Sequence, residues 1–341
     1  MRKRERVQAA IKSEPLDRPP VSLWMHYPAV DQDPLKLAQA HVMFQEKFDL
    51  DFIKLTPFDL YCVEDWGSQI QFFGTETQSP IIKRYAIQKS ADWLNLKVIP
   101  PTFGTWGKQL LLTSYVKKLV NPEVPFVQTI YSPLTVARKL AGDQVVRFLR
   151  EDPKIIHKAL EVITETTIQF VKANLAAGAD GIFFATGCAN HDFMSVAEYE
   201  QFGRRYDLQV LEAGKEGWFN TLHIHGRKIM FHELLDYPVH AVNWHDCHEY
   251  PPVRRARAMT DLCIIGGLDE EGPISKGKAI DVIDEVSAFL DETNLLGVMV
   301  GPGCVTIPNP PEHNITTLRL VVERYAEEAN WRYLSLDSSF L

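Results

Sequence analysis

Hydrophobic residues cluster in short runs rich in β-branched and aromatic side chains, with longer polar and apolar segments of helical spacing between them. The runs are continuous rather than alternating, which is typical of parallel strands covered on both faces. We predict eight strands, near residues 21–25, 52–58, 126–131, 181–185, 221–225, 241–245, 263–268 and 298–300. Eight strands alternating with helices predict an α/β fold, a single (β/α)8 (TIM) barrel spanning residues 1–341.

Helical periodicity is clearest in four segments of the chain. Asp152-Pro153 and Gly178 bracket one long helix, and Ser195-Val196-Ala197-Glu198 has the form of a capping box that opens another. Residues 275–294 and 311–329 have the same spacing.

One region, between Asp59 and Pro125, is far longer than the loop and helix of an ordinary βα unit. It contains several tryptophans and glycines and the pair Pro100-Pro101. We therefore predict an insertion of hairpins and loops over about residues 60–125, after the second strand, that covers the C-terminal face. Two interpretations stay open: a cover that only packs, and a lid that selects the substrate.

Composition and charge exclude several classes of protein. The chain has 341 residues, of which 45% are hydrophobic, and a net charge of −8. This charge argues against a general nucleic-acid binder, which needs a basic surplus. No apolar run approaches the roughly 18 residues of a membrane helix, and the basic start is not followed by the apolar core of a signal peptide. Five scattered cysteines argue against a disulfide framework and indicate the reducing cytoplasm.

Candidate metal ligands stand at the ends of two predicted strands. His223 and His225 are two residues apart, so on a strand their side chains share a face. Cys304 follows the last strand in Gly301-Pro302-Gly303-Cys304, where the glycines allow a tight backbone path. If the strands belong to one barrel, two imidazoles and a thiolate meet in its mouth. This is the ligand count of an open zinc site, in which a fourth position is left for substrate or water.

Further candidates follow neighbouring strands. His245 and Asp246 could act as acid and base or orient the ligands, and Trp244 could form a roof over the pocket. Asp59 could bind a cationic or N–H-bearing substrate or cap a helix. We expect the remaining substrate-binding side chains to come from the first loop, the insertion and the third strand: His26, Tyr27, Trp66 and Tyr131.

Several motifs along nearly the whole chain resemble the uroporphyrinogen decarboxylase superfamily. They are Asp17-Arg18-Pro19-Pro20-Val21, Ala177-Gly178-Ala179-Asp180-Gly181, Gly266-Gly267-Leu268-Asp269 and the ending from Gly303 to Pro308 with Pro311-Glu312-His313-Asn314-Ile315. The ending is similar to that of the cobamide-dependent methyltransferase branch. The resemblance implies a single barrel that binds zinc through a His-x-Cys after the fifth strand and a Cys after the last.

The chain departs from both branches of this superfamily at identifiable positions. His225 stands where the methyltransferase branch has cysteine, so one thiolate would leave a bound Zn²⁺ with a net charge of +1. In the decarboxylase branch, two arginines in the loop after the first strand hold the substrate's carboxylates. Here that place is Met25-His26-Tyr27-Pro28-Ala29, although Asp59 aligns with the catalytic aspartate of the decarboxylases.

The resemblance implies a zinc-dependent methyltransferase-like enzyme that moves a methyl group between a corrinoid, carried by a partner protein, and a thiol or another small acceptor. One alternative is decarboxylation of a porphyrinogen without a metal, carried by Asp59 and Tyr131. An alternative of another class is a non-catalytic accessory protein that binds a corrinoid or a metal.

Overall fold

The computed structural model describes residues 1–337, which form nine strands and twelve α-helices. The strands are β1 (Ile53–Leu55), β2 (Gln69–Gln71), β3 (Ile81–Arg84), β4 (Phe126–Tyr131), β5 (Gly181–Thr186), β6 (Thr221–Ile224), β7 (Ala241–Trp244), β8 (Cys263–Leu268) and β9 (Val298–Pro302). The helices are α1 (Lys3–Ile11), α2 (Pro34–Lys47), α3 (Gly104–Leu119), α4 (Pro133–Ala141), α5 (Val145–Glu151), α6 (Pro153–Ala176), α7 (Val196–Tyr199), α8 (Arg205–Ala213), α9 (Val253–Arg257), α10 (Pro273–Lys276), α11 (Ala279–Thr293) and α12 (Glu312–Asp337).

Seven of the strands form one curled parallel sheet in the order β1-β4-β5-β6-β7-β8-β9. Apart from the β2–β3 hairpin, which forms its own small sheet, each strand pairs in parallel with the next one along the chain. All seven C-terminal ends therefore lie at the same edge. This arrangement confirms the predicted α/β barrel, and it brings the residues that follow the strands into one mouth.

The first predicted strand, residues 21–25, is not a regular strand. It makes two isolated parallel bridges, from Val21 to Val300 and from Met25 to Thr306. On its other side the Val21 carbonyl accepts a hydrogen bond of 2.8 Å from the Asp51 amide. The segment therefore spans the gap between β9 and β1, but its pairing is too sparse for a continuous ladder.

The predicted insertion contains a helix that the sequence pattern did not reveal. Besides the β2–β3 hairpin and two short 3-10 turns, this region includes α3, which packs against α2 and α6. The capping group of α3 is Asp65, far away in sequence, whose Oδ2 accepts hydrogen bonds from the Thr105 and Trp106 amides at 2.7 and 3.3 Å. Gly104 and Gly107 lie in the first turn of α3, and glycine has a low helix propensity, so the sequence of this segment did not indicate a helix.

The other helices lie close to their predicted positions. The Ser195–Glu198 capping box is present, since Ser195 Oγ accepts from the Glu198 amide and Glu198 Oε2 accepts from the Ser195 amide. The helix that it opens is interrupted by a π-helical turn at Glu200–Arg204. The predicted 275–294 helix is split into α10 and α11, with Gly277 between them.

The inside of the barrel is filled with large apolar side chains. Trp24, Phe52, Phe183, Phe219 and Met299 belong to one buried cluster. A larger cluster packs the outer faces of the strands against the helices. Since the interior is filled, the functional space lies above this layer at the strand ends. Within residues 1–337, no helix is both long and apolar enough to cross a bilayer.

Candidate active site

A cavity of about 500 Å³ opens at the C-terminal ends of the strands. Its lining includes apolar side chains from the barrel interior, Trp24 and Phe183, and the imidazoles and thiol at the C-terminal ends of β6 and β9. Ile82 and Tyr85, which lie in and just after β3, also line it. The cavity is thus bounded by the barrel on one side and the hairpin region on another.

Three imidazoles and one thiol converge at this mouth. The ligand atoms of His223, His225, His245 and Cys304 all lie within 4.8 Å of one another. Cys304 Sγ is 3.8 Å from His223 Nε2 and 3.7 Å from His225 Nδ1. His245 Nε2 is 3.1 Å from His225 Nδ1. The residues come from the ends of three strands, β6, β7 and β9, as expected when parallel strands share one edge.

Asn243 and Glu270 orient two of these imidazoles. Asn243 Oδ1 lies 2.7 Å from His223 Nδ1, so Nδ1 donates there and Nε2 is left facing Cys304. The Asn243 amide nitrogen donates to the Ile265 and Pro302 carbonyls, which fixes its direction. The Glu270 carboxylate makes a short hydrogen bond with His245 Nδ1, which leaves His245 Nε2 facing the cluster. Such partners fix the tautomer of metal-binding histidines.

The thiol and the imidazoles of the cluster shift one another's pKa. Burial raises the pKa of the Cys304 thiol, but hydrogen bonds with the three imidazoles lower it by more, so the pKa lies well below its ordinary value. Burial lowers the pKa of His223. For His245, burial lowers the pKa, but Cys304 and Glu270 outweigh it and raise the pKa to about 10. Without a metal, the thiolate is therefore stabilised by the imidazoles around it.

The donor set fits a zinc ion. For a tetrahedral ion with a metal–sulfur distance of about 2.3 Å and metal–nitrogen distances of about 2.0 Å, sulfur and nitrogen ligands lie about 3.5 Å apart. The separations of 3.7 and 3.8 Å from Cys304 Sγ to the two nitrogens need only a small contraction to meet this value. Imidazole and thiolate are also the ligand types that zinc prefers.

The cavity lining also carries positive charge. Lys139 Nζ donates a 2.8 Å hydrogen bond to Asp59 Oδ2, and Arg138 is paired with Asp143. Lys54 is 6% exposed, and its ammonium lies 4.9 Å from the centre of the Phe183 ring. Among the residues that the structure describes, no carboxylate pairs with Lys54. Burial lowers the pKa of Lys54 to about 8.

The family model for uroporphyrinogen decarboxylase (URO-D) matches residues 2–325 of the chain. The chain belongs to the uroporphyrinogen decarboxylase family. Among its relatives, the methylcobamide:CoM methyltransferase MtbA of Methanosarcina acetivorans is 22% identical over 94% of this chain and 98% of its own length. The methylcobamide:CoM methyltransferase MtaA of Methanosarcina barkeri is 25% identical over 94% and 97%.

A solved structure has the same fold. A methyltransferase from Methanosarcina mazei superposes with a TM-score of 0.84 at 21% sequence identity, over 95% of this chain and 99% of that one. A match of this extent supports the barrel assignment over 95% of the chain.

Most of the residues predicted for the site from sequence lie at this cavity. His223, His225 and Cys304 converge as expected for metal ligands, and His245, expected to act in catalysis, joins them. His26, Asp59 and Tyr131 line the cavity. Burial lowers the pKa of His26, and burial raises that of Tyr131 well above its ordinary value. Burial raises the pKa of Asp59, but Lys139 outweighs this effect, so the pKa is lowered.

The structure places four other predicted residues elsewhere. Tyr27 packs edge-on against His41, and Trp66 packs against Trp106 and donates to the Lys97 carbonyl. Trp244 alternates with the inward Asn243 on β7, so it points to the outer layer, where it contacts Phe231. Asp246 is buried behind β8, where its Oδ2 accepts from the Gly267 amide at 2.8 Å. The positions of these residues in the sequence bring their backbone near the mouth of the barrel. The direction of each side chain is set by the alternation of side chains along a strand or by local packing.

Lys54, Asn243 and Glu270 belong to the site but were not predicted from the sequence pattern. Lys54 and Asn243 each stand between two outward-facing neighbours on a short strand, so strand alternation was an available signal for both. Glu270 lies in the loop after β8, two residues beyond its end. That loop contains other acidic residues, and only the three-dimensional structure shows which carboxylate turns towards His245.

Proposed function

We propose that this chain is a zinc-dependent methyltransferase that moves a methyl group between a corrinoid and a thiol or another small acceptor. The observation that carries the proposal is the convergence of His223, His225 and Cys304 beside a 500 Å³ cavity. Full-length similarity to enzymes named methylcobamide:CoM methyltransferases supports this reaction class over others on the same fold. We further propose that the protein acts in the cytoplasm, which agrees with its five free cysteines.

The residues of the chain have separate tasks in this reaction. His223, His225 and Cys304 would hold the metal, which when bound supplies a Lewis acid that lowers the pKa of a thiol beside it. Asn243 keeps His223 Nε2 available by accepting from Nδ1. Trp24 and Phe183 give the cavity apolar walls that limit water around the acceptor sulfur.

The methyl donor is a methyl-corrinoid, which we place on a partner protein. In the transfer, the methyl–cobalt bond breaks with both electrons remaining on the corrinoid. The acceptor sulfur, already deprotonated, supplies the electron pair for the new carbon–sulfur bond. The chain must therefore hold the acceptor as a thiolate and leave one side of the cavity accessible to the corrinoid.

Porphyrinogen decarboxylation remains a second candidate because Asp59 lies in the cavity. Two observations weigh against it. Met25 to Ala29 contains no arginine for the substrate's carboxylates, and the Asp59 carboxylate is already paired with Lys139. We therefore expect no conversion of uroporphyrinogen to coproporphyrinogen. The third candidate, a non-catalytic accessory protein, would bind the metal or the corrinoid without turnover.

Metal analysis combined with a transfer assay tests the proposal. We expect about one zinc per chain in protein purified without chelators, and transfer from methylcobalamin to a thiol. His223→Ala and Cys304→Ser should lose both zinc and transfer while keeping the fold, because catalytic ligands seldom hold a barrel together. Asp59→Asn should keep zinc, since it is not among the proposed ligands.

Two outcomes would point to the other candidates, and a third would contradict the metal site. Decarboxylation of uroporphyrinogen that Asp59→Asn abolishes would replace this proposal with the decarboxylase. Zinc or corrinoid binding without transfer to any thiol would favour the accessory protein. Protein that contains no zinc yet folds normally would contradict the metal site itself.

A further inference from the structure

We infer that His245 is a fourth protein ligand of the metal and that Glu270 orients it, so that the chain supplies three imidazoles and one thiolate. The acceptor thiol would then enter as a fifth ligand, a coordination number that catalytic zinc can reach. This inference rests on the proposed function, in which His223, His225 and Cys304 bind zinc. It assigns His245 to the metal itself rather than to acid–base chemistry.

The positions of the donor atoms are the first argument. His245 Nε2 lies 3.1 Å from His225 Nδ1, and all four donor atoms lie within 4.8 Å of one another. Two nitrogen ligands of a tetrahedral zinc ion are about 3.3 Å apart when each metal–nitrogen distance is about 2.0 Å. An ion that contacts His225 Nδ1 and Cys304 Sγ would therefore have His245 Nε2 within reach.

The hydrogen bond with Glu270 is the second argument. His245 Nδ1 is occupied by the Glu270 carboxylate, so Nε2 is the nitrogen that points towards the cluster, where a metal ion would take the place of its proton. Glu270 is only 6% exposed, so the atoms packed around it limit the movement of its carboxylate. A carboxylate on the far nitrogen of a metal-binding histidine fixes the ring and makes it a stronger donor. His223 is held in the same way by Asn243, so both rings are prepared for a metal.

The charge of the site gives this arrangement a chemical meaning. Three neutral imidazoles and one thiolate would leave Zn²⁺ with a net charge of +1. The sequence resemblance implies a second thiolate at the position of His225 in related methyltransferases. In this chain the second negative charge is carried by Glu270, one hydrogen bond away from the ligand. His245 therefore connects the metal to the group that compensates the replacement of cysteine by His225.

The chain also contains a matched control for His245. His248 is three residues further on, and its Nε2 lies 2.8 Å from Asp269 Oδ1, so it too is an imidazole paired with a carboxylate. Half of the His248 side chain is exposed, and it is outside the four-residue cluster. Replacing His248 removes the same chemistry from the same loop without removing a proposed ligand.

X-ray absorption spectroscopy of the zinc-loaded protein tests the inference without measuring activity. We expect three imidazoles and one sulfur in the wild type. His245→Gln should lose one imidazole, keep the sulfur and bind zinc at least tenfold more weakly in competition with a chelator. His248→Gln should keep the wild-type spectrum and affinity. Glu270→Gln should keep three imidazoles but bind zinc about 10- to 100-fold more weakly, as is typical when a partner of a ligand is changed.

The possible failures are distinguishable. Two imidazoles and one sulfur in wild-type protein that transfers methyl groups would overturn the role of His245 and leave the proposed function standing. Three imidazoles in a protein without transfer would support His245 as a ligand and contradict the proposed function. An unchanged imidazole count in His245→Gln would overturn the inference, and absence of bound zinc would overturn both.

Discussion

At the scale of single residues, Lys54 contributes a positive charge to the cavity. No carboxylate of the described residues pairs with it, and only the charge of the Cys304 thiolate offsets it. The two neighbouring cations, Arg138 and Lys139, are each paired with a carboxylate. Lys54 instead lies beside the Phe183 ring, and only 6% of its surface is exposed to solvent. Because desolvating an ammonium without a counter-charge is costly, an anionic group of the bound acceptor would be a favourable partner.

We predict that Lys54→Met weakens binding of an anionic thiol. A charge-assisted hydrogen bond is worth about 1.5–3 kcal/mol, so KM for 3-mercaptopropionate should rise about ten- to hundredfold. The KM for the neutral 2-mercaptoethanol, measured with the same variant, should change little and serves as the control. An equal rise for both thiols would show that Lys54 shapes the cavity rather than binding an anion.

At the scale of the elements, the loop after β9 depends on a close approach that only glycine permits. A Cβ on Gly303 would lie 2.9 Å from Glu270 Oε2, the Trp244 carbonyl oxygen and the His245 Cα. Two of these atoms are backbone and cannot turn aside. The Gly303 amide also donates to the Leu268 carbonyl at 3.1 Å, so the loop that presents Cys304 is fixed against the ends of β7 and β8.

Gly303→Ala should therefore disturb the proposed metal site while sparing the fold. The loop must move away from β7 and β8 to make room for the methyl group, and this displaces Cys304 from the imidazoles. We expect zinc affinity to fall by about 10- to 100-fold, the range seen for changes beside metal ligands. Gly187→Ala, at the same cavity, is the control, because its Cβ would meet Thr135 Cγ2 at an ordinary 3.6 Å. Equal zinc affinity in the two variants would contradict this account.

The candidate site was predictable from sequence where it depends on strand order and not where it depends on side-chain direction. His223, His225 and Cys304 follow apolar runs, and parallel strands bring their ends together whatever the details of packing. The sequence pattern did not separate Asn243, which faces the barrel interior, from Trp244, which faces outward. Their roles depend on the pleat of β7, a strand of only four residues.

The segment that spans the gap between β9 and β1 is held by a buried ion cluster. Asp51 is fully buried and accepts hydrogen bonds from Arg6 at 2.7 Å, from Arg18 at 2.6 and 3.1 Å, and from the Val21 amide at 2.7 Å. Helix α1, the Asp17-Arg18-Pro19-Pro20 segment and the start of β1 therefore meet at one carboxylate. This cluster compensates for the sparse backbone pairing of residues 21–25.

We predict that Asp51→Asn strongly destabilises the protein. The change removes the carboxylate charge that compensates two buried guanidinium groups, those of Arg6 and Arg18. Breaking such a buried pair costs about 3–5 kcal/mol. Denaturant unfolding measures the loss. Asp49→Asn is the matched control, since Asp49 also binds two cations, Lys3 and Arg319, but is 61% exposed. Exposed pairs contribute about 0–1 kcal/mol, so similar losses in the two variants would contradict a special role for Asp51.

At the scale of the whole molecule, the barrel was predictable because its repeating unit is long and strongly patterned. Seven of the eight predicted strands occur in the parallel sheet, and α6 matches its predicted bounds to within one residue. The errors fall where distant contacts decide local structure. Residues 21–25 depend on neighbours at Asp51 and Val300, and α3 depends on Asp65 for its cap.

A buried carboxylate in the outer layer links global stability to pH. Asp207, on α8, is fully buried, and its Oδ2 accepts hydrogen bonds from the Tyr199 and Tyr237 hydroxyls at 2.6 and 2.9 Å. Burial raises its pKa to about 7, although both hydroxyls act in the opposite direction. In the unfolded chain its pKa is near 3.9, so between these values the folded protein holds a proton that the unfolded chain has lost.

This difference between the folded and unfolded pKa of Asp207 fixes the direction in which stability depends on pH. The contribution of Asp207 to the free energy of unfolding is complete below about pH 4 and decreases as the pH rises towards 7, by at most about 1.4 kcal/mol per pH unit. In Asp207→Asn this decrease should disappear, so the slope of the free energy of unfolding against pH should be more positive than in the wild type between pH 4 and 7, by at most about 1.4 kcal/mol per pH unit. Asp236→Asn, at an exposed carboxylate paired with Arg204, should keep the wild-type slope. Urea unfolding at four or five pH values gives the slopes, and identical slopes for wild type and Asp207→Asn would show that Asp207 is already ionised in the folded protein throughout this range.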